Sequence, residues 1–367
     1  MVAKNNKRKI KIVSLFAGIG GFEEGIKNSK MPYNVIFASE IDENAKKSYS
    51  SNFGNENLYG DITKIDEKSI PNHDLLIGGF PCQSFSIAGS MKGFDDVRGT
   101  LFFDIVRILK EKKPKYFLLE NVKNLISHDN GNTIKVIIDN LNKLGYAIDF
   151  SIIDSKESGV PQSRNRTYII GIHNGKTEFY QDDIHSVKVS NLKKKYNAVG
   201  INSFNFFNYL SFNNDMKSII DVLDKKVKEK FYFNSDKILN YLNNNKFDDL
   251  NKRKHEIVKL FDLPREVHND LDRQRRVYSV YGISPTILAR TDSTKIYLKN
   301  KNTYRLRKIT PEENFYVQGF SKLFVENIKN IGMTESQMYK QSGNAVSPPV
   351  ITGIINLLYN NFMSEEQ

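Results

Sequence analysis

Apolar and polar positions in the first half of the chain form a repeating pattern. Short apolar runs bounded by Gly, Pro or charged residues recur at 9–16, 35–39, 75–77, 114–119, 147–154 and 167–172. Runs of this length, rich in Ile, Val, Leu and Phe, read as buried strands. Amphipathic stretches that start at Phe22 and cover 101–110 and 133–144 read as the helices between them. Strands alternating with helices predict an α/β fold, a mostly parallel sheet with helices on both faces. From about residue 175 this rhythm stops, and Asn, Lys, Asp, Phe and Tyr dominate. A helical pattern returns over 306–320 and 350–359. In the latter, Ile351, Ile354, Ile355 and Leu358 form an apolar face that needs a core. A chain of 367 residues is expected to hold two domains. The predicted organisation is a first domain over 1–178, a second, smaller one over 179–320, and a return to the first over 321–367.

In an open α/β sheet the chemistry sits at the strand ends. The first strand runs into Phe16-Ala17-Gly18-Ile19-Gly20-Gly21 and a helix start. Such a turn can cradle a ligand, because glycines let the backbone approach and a helix start offers free N–H groups. A tight turn without a ligand has the same sequence. Glu40 ends the second strand, where an acidic residue commonly holds a ribose diol. Asp61, in Gly60-Asp61-Ile62, either meets an adenine amino group or is an ordinary turn residue. Gly78-Gly79 and Pro81 break the next strand and present Cys82, the only cysteine of the chain. A lone thiol is more often buried and inert than reactive. Glu120, in Glu120-Asn121-Val122, ends another strand. Gln162-Ser163-Arg164-Asn165-Arg166 precedes the last of the six runs. Residues 84–99 are polar and glycine-containing, which suggests a mobile loop over a pocket.

Composition narrows the partners. With 39% hydrophobic and 26% charged residues the chain is expected to be a soluble globular protein. No apolar run approaches the length of a membrane span, and no apolar segment follows the lysine-rich amino terminus, so the expectation is no membrane and a cytoplasmic location. One cysteine excludes an internal disulfide and a cysteine-built zinc site. The net charge of +12 suits a polyanion, although a codon bias towards Lys, Asn and Ile would raise the same number. Basic clusters at 252–255 and 273–276, interleaved with aromatics, fit contact with a phosphate backbone. Solvated charge on helix faces explains any one of them equally well.

Taken in order, these segments resemble the DNA cytosine-5 methyltransferases, most closely those of prokaryotic restriction-modification systems. Phe16 to Gly21 resembles the first motif of that family, Gly79-Phe80-Pro81-Cys82-Gln83-Ser84-Phe85-Ser86 the nucleophile motif, Glu120-Asn121-Val122 and Gln162-Ser163-Arg164-Asn165-Arg166 the next catalytic motifs, and Gln341-Ser342-Gly343-Asn344-Ala345-Val346 the last. Thr286-Ile287-Leu288 is similar to a threonine motif of its target-recognition domains. The resemblance implies a Rossmann-like S-adenosylmethionine-dependent methyltransferase sheet and, over 179–320, a smaller target-recognition domain with a hinge. It implies Cys82, Glu120, Arg164 and Arg166 as catalytic residues. Phe16, Ala17, Gly18, Gly20, Gly21, Glu40, Ile41, Asp61, Ile62, Pro81, Leu101 and Asn344 would hold the cofactor S-adenosylmethionine, with no metal, because that donor is already activated. Gln83, Ser84, Ser86, Arg98, Arg275 and Thr286 would contact DNA. The implied partner is double-stranded DNA from which a cytosine is flipped out, the enzyme is expected to be monomeric, and a cognate restriction endonuclease could be encoded nearby.

Two positions depart from the pattern. Ile41 stands where some members carry Trp, and Ala345 where Ser is common. An RNA (tRNA) cytosine-5 methyltransferase shares the catalytic core but is expected to have a smaller recognition region. A non-catalytic DNA-binding relative usually lacks the nucleophile or the carboxylate, both kept here. A nicotinamide dehydrogenase accounts for Glu40 but not for the cysteine and arginine motifs.

Overall fold

The structure, a computed structural model, describes residues 8–81, 101–212, 215–245, 255–300 and 303–363. In chain order its elements are β1 (Ile10–Leu15), α1 (Gly21–Lys27), β2 (Tyr33–Ser39), α2 (Glu43–Phe53), β3 (Leu58–Tyr59), β4 (Leu75–Gly79), α3 (Leu101–Lys112), β5 (Tyr116–Val122), α4 (Asn132–Lys143), β6 (Tyr146–Asp154), β7 (Asn165–His173), α5 (Val187–Ala198), α6 (Asp236–Asn244), β8 (Lys259–Asp262), β9 (Arg276–Ser279), β10 (Lys295–Asn300), β11 (Thr303–Lys308), α7 (Pro311–Gln318), α8 (Lys322–Asn330), α9 (Glu335–Asn344) and α10 (Pro348–Leu358). They divide between two compact units. One comprises Met1–Ile153, Asn165–Ser211 and Ile351–Gln367; the other Asp154–Arg164 and Phe212–Val350.

The first unit is an α/β sheet of seven strands in the order β3-β2-β1-β4-β5-β7-β6. β1, β2, β3, β4 and β5 pair in parallel, and β7 runs antiparallel to β5. Strands at the centre are apolar because both faces are covered: Leu75, Leu76, Ile77, Phe117, Leu118 and Leu119 are all fully buried. The sheet switches direction of winding at β1, which has β2 on one side and β4 on the other. A crevice for ligands opens beyond the strand ends at such a point. The apolar face of α10 is covered in this unit, with Ile351, Ile354, Ile355 and Leu358 buried. Thr352 Oγ1 donates to the Gly25 carbonyl (2.8 Å). Among the described residues no helix is long and apolar enough to cross a membrane.

The second unit is built on four strands in the order β11-β10-β9-β8. Leu263, Val277, Tyr297 and Leu306 form its core with Ile238 and Leu242 of α6. The helical pattern expected over 306–320 begins later, because Leu306 and Arg307 belong to strand β11 and point opposite ways. Leu306 enters the core, while Arg307 donates to both carboxylate oxygens of Glu313 (2.6 and 2.8 Å). The same carboxylate accepts from the Thr310 amide and caps α7. Removing one partner of so buried a pair would leave a naked charge, a loss of about 3–5 kcal/mol.

In the first unit α1 buries an acid that has no such partner among the described residues. Glu23 is 0% exposed, and Tyr49 Oη donates to its Oε1 over 3.4 Å. Burial pushes its carboxyl up to about 7, with the Ser14 hydroxyl, its own backbone amide and the Tyr49 hydroxyl pulling the other way. Folded protein therefore holds a proton that the unfolded chain has released between about pH 4.5 and 7. This contribution to stability is complete at low pH and falls as pH rises through that window, by up to about 3 kcal/mol. Glu23→Gln should match wild type in melting temperature at pH 5 and exceed it at pH 7.5. Parallel melting profiles across that range would contradict the assignment.

Candidate active site

The site is built where β4, β5 and β7 meet at one edge. Gly79, the last residue of β4, pairs with Glu120 of β5, and Glu120 pairs with Tyr168 of β7. A Cβ on Gly79 would come within 3.2 Å of Glu120 Oε2, so glycine leaves the space that this carboxylate occupies. The next residue, Phe80, turns its ring into the core against Phe102 (centroids 5.6 Å apart). Its carbonyl accepts from Asn121 Nδ2 (2.8 Å). The chain is thus clamped on both sides of Phe80 immediately before Pro81, which is exposed. Cys82, Gln83, Ser84, Ser86 and Arg98 lie outside the described residues, as does the loop expected over 84–99.

Because β7 is antiparallel to β5, its first residues reach the edge where β5 ends. Arg166 Nε lies 3.1 Å from Glu120 Oε1, the two side chains being 17% and 12% exposed. Arg166 Nη1 also donates to the Asn165 carbonyl (2.8 Å). The pair is shielded enough to be stronger than a surface ion pair yet remains open to a substrate.

Arg164, two residues earlier, has a different setting. It belongs to the second unit and is buried, and its Nη2 donates to the carbonyls of Gly343 (3.0 Å) and Ala345 (2.9 Å). The residues around it form one buried polar network. Gln162 Nε2 donates to Gln318 Oε1 (2.6 Å), and Gln162 Oε1 accepts from the Ile287 amide (3.0 Å). Gln318 Nε2 donates to the carbonyls of Ser342 and Ala345. Thr286 donates its hydroxyl to the Ser163 carbonyl (2.8 Å). A side chain on Gly343 would collide with the backbone of Leu288 and Ala289, so these two segments pass in direct contact. Asn344 ends α9 and is exposed. Arg275 is held inside the unit by Asp272 (2.7 Å) and the Leu263 carbonyl, whereas Arg273 and Arg276 are exposed.

In the first unit the turn after β1 has a left-handed backbone at Phe16 (φ 55°), Gly18 (58°) and Gly20 (90°). At a phenylalanine that conformation costs about 1–3 kcal/mol and marks a functional turn. Glu40 fastens the turn: Oε2 accepts from the Gly18 amide (2.8 Å), and Oε1 from the amides of Ile41 (2.9 Å) and Asp42 (2.8 Å). A Cβ on Gly18 would meet nothing within 4 Å, so the turn faces open space there, while Gly20 is closed off by Phe53. Beside that opening Ile41 is 68% exposed, an apolar side chain held in water. A strained glycine turn, a carboxylate at the tip of β2 and an apolar cover are what a nucleoside-bearing donor requires. Ala17, Gly21, Asp61, Ile62 and Leu101 also belong to this unit; Ala17 and Ile62 are buried, and Gly21 and Leu101 begin α1 and α3. Asp61 caps the turn Ile62–Lys64, and the Thr63 hydroxyl (2.7 Å) and amide hold its carboxyl below the usual carboxylate range.

Two residues with evident tasks were given none from the sequence: Asn121 and Gln318. The position of Asn121 at a strand end beside a catalytic candidate was a usable signal. For Gln318, no local pattern marks the partners that give it a role.

Comparison with known proteins finds relatives over nearly the whole chain. The family described as C-5 cytosine-specific DNA methylase matches residues 10–360. The type II methyltransferase M1.ScrFI of Lactococcus lactis subsp. cremoris is 40% identical over 346 residues, covering 94% of this chain and 77% of that protein. The orphan methyltransferase M.SPRI of Bacillus phage SPR is 32% identical over 436 residues, covering 98% and 99%. Among solved structures, the S. pombe Dnmt2 methyltransferase superposes with a TM-score of 0.65 at 19% identity, covering 96% of this chain and 99% of that one, a likeness of fold. The chain belongs to the C-5 cytosine-specific DNA methylase family and is a DNA cytosine-5 methyltransferase.

Proposed function

We propose that the chain flips a cytosine out of a short specific sequence in duplex DNA and methylates its carbon-5, with Cys82 as the nucleophile. The observation that carries the reading is the Arg166–Glu120 pair, standing at the strand edge from which Phe80 and Pro81 lead to Cys82. Carbon-5 of cytosine is a poor nucleophile. Addition of the Cys82 thiolate to carbon-6 breaks the 5,6 double bond and moves its electron pair towards carbon-5 and the ring carbonyl. Glu120 shares a proton with ring nitrogen 3 and accepts from the 4-amino group, so that charge does not accumulate there. Arg166, fixed by its bond to Glu120, supplies positive charge at the carbonyl oxygen. Asn121 is a positioning residue, holding the backbone at Phe80. Arg164 is also a positioning residue, clasping Gly343 and Ala345.

S-adenosylmethionine, when bound, supplies a methyl group already activated on a sulfonium. Phe16, Ala17, Gly18, Gly20 and Gly21 would hold its methionine part, Glu40 its ribose, and Ile41, Asp61 and Ile62 its adenine. Pro81, Leu101 and Asn344 would complete the site. Double-stranded DNA is held by the second unit, where Thr286 acts through Ser163 and where Arg273 and Arg276 are more available to phosphates than Arg275. Relatives of this chain include both type II and orphan methyltransferases; a cognate endonuclease encoded nearby fits the first class.

After methyl transfer the carbon-5 proton leaves and the Cys82 thiolate is expelled from carbon-6 as the 5,6 double bond re-forms. Duplex DNA carrying 5-fluorocytosine tests the reading, because fluorine cannot leave carbon-5 as a cation and the adduct is trapped. Wild type plus donor should form a denaturation-resistant complex with this DNA, and Cys82→Ser should bind the same DNA yet form none. Adduct formation by Cys82→Ser would identify a different nucleophile. A second expectation concerns Glu120→Gln, which should lower single-turnover methyl transfer by about 10²–10⁴-fold with DNA affinity kept within severalfold. A loss below tenfold would remove Glu120 from the chemistry.

A further inference from the structure

Glu23 is a buried ionisable group that the mechanism leaves without a task. It lies two residues beyond Gly21 at the end of the donor turn, and its Oε2 has no hydrogen-bond partner among the described residues. The hydroxyl of Ser14, on the strand that leads into the turn, is near enough to act on this carboxyl but lies outside hydrogen-bond geometry. Among the described residues, Ser14 from β1 and Tyr49 from α2 act on Glu23, and Tyr33 from β2 feels its charge together with that of Glu24, the next residue of the helix. None of them is a cation. Lys27 stands 4.0 Å from Glu24, and its side chain is 49% exposed. A buried carboxyl with no positive partner is costly to ionise. That cost falls when a ligand brings the positive charge.

The donor and the product of this reaction differ in that charge. S-adenosylmethionine carries a sulfonium; S-adenosylhomocysteine carries a neutral thioether in its place. We propose that Glu23 selects donor over product. From the first turn of α1, directly after the glycine turn, its carboxylate favours the sulfonium ligand, so that exchange of product for donor is coupled to release of the Glu23 proton. The inference rests on reading Phe16 to Gly21 and Glu40 as the donor site. The protons balance. Donor binding expels one from the Glu23 carboxyl to solvent, and loss of the sulfonium on methyl transfer lets the carboxylate recover one from solvent. Glu23 acts through the field and touches no reacting atom. The elevated proton affinity that burial imposes places its titration close to neutrality, where the coupling can operate.

Calorimetric titration of wild type with S-adenosylmethionine and with S-adenosylhomocysteine at pH 6, 7 and 8, in buffers of different ionisation enthalpy, reads this directly. The preference for donor should rise about three- to tenfold from pH 6 to pH 8, with more protons released at pH 7 by donor than by product. Glu23→Gln should hold the pH 6 preference at every pH and lose the difference in proton release. Tyr49→Phe, which removes the hydroxyl bonded to the carboxyl, should shift the rise to higher pH. A flat preference in wild type, or the same rise in Glu23→Gln, would overturn the inference while leaving the donor site intact. Absence of donor binding to wild type would overturn the donor reading itself and this inference with it.

Discussion

The ion pair between Arg166 and Glu120 depends on a reversal of strand direction. β5 ends at the edge where β4 also ends, and β7 begins there because it runs the opposite way. Antiparallel pairing therefore brings the start of one strand beside the end of another and sets a guanidinium 3.1 Å from a carboxylate. Gly79 has no side chain to occupy the space of that carboxylate, and Asn121 ties the neighbouring carbonyl of Phe80. Each of these constraints is local. Together they fix the backbone through Phe80 beside a carboxylate and a guanidinium held as a pair.

Much of this was legible from the sequence, for a physical reason. Strands buried on both faces are continuous apolar runs, so β1, β4 and β5 stand out, and their abrupt ends at Gly or acidic residues mark the edge that carries chemistry. The direction of β7 was not legible. Apolar runs look the same read either way, so the motif that precedes 167–172 could be placed at the start of its strand without showing which neighbour that start would meet. Nor could sequence separate the tasks of Arg164 and Arg166, two residues apart. Their different partners, Gly343 and Ala345 for one and Glu120 for the other, come from distant segments. Strand β11 was read as helix because Leu306 and Arg307 fit either period over so short a stretch.

Polar groups inside this protein fall into two kinds. Arg307 with Glu313, and Gln162 with Gln318, have partners within the fold and hold segments together. Among the described residues Glu23 has no cation as a partner, and it follows by two residues the turn that the donor is read to occupy. Charge on the surface follows the same division. The 54 Lys and Arg residues overstate what DNA would meet, since some, such as Arg275 and Lys295, are paired with Asp272 and Asp292, pairs that the net charge of +12 already cancels. A basic count is a weak guide to a footprint unless the internal pairs are removed from it.

The central claim is that the wild-type chain converts cytosine to 5-methylcytosine in duplex DNA at a defined sequence. Incubation of genomic DNA with protein and S-adenosylmethionine, followed by bisulfite sequencing, tests it most directly. The account predicts cytosines protected from conversion in one short sequence context and nowhere else, with an RNA substrate treated in parallel left unmodified. DNA converted throughout, or protection confined to the RNA, would contradict it.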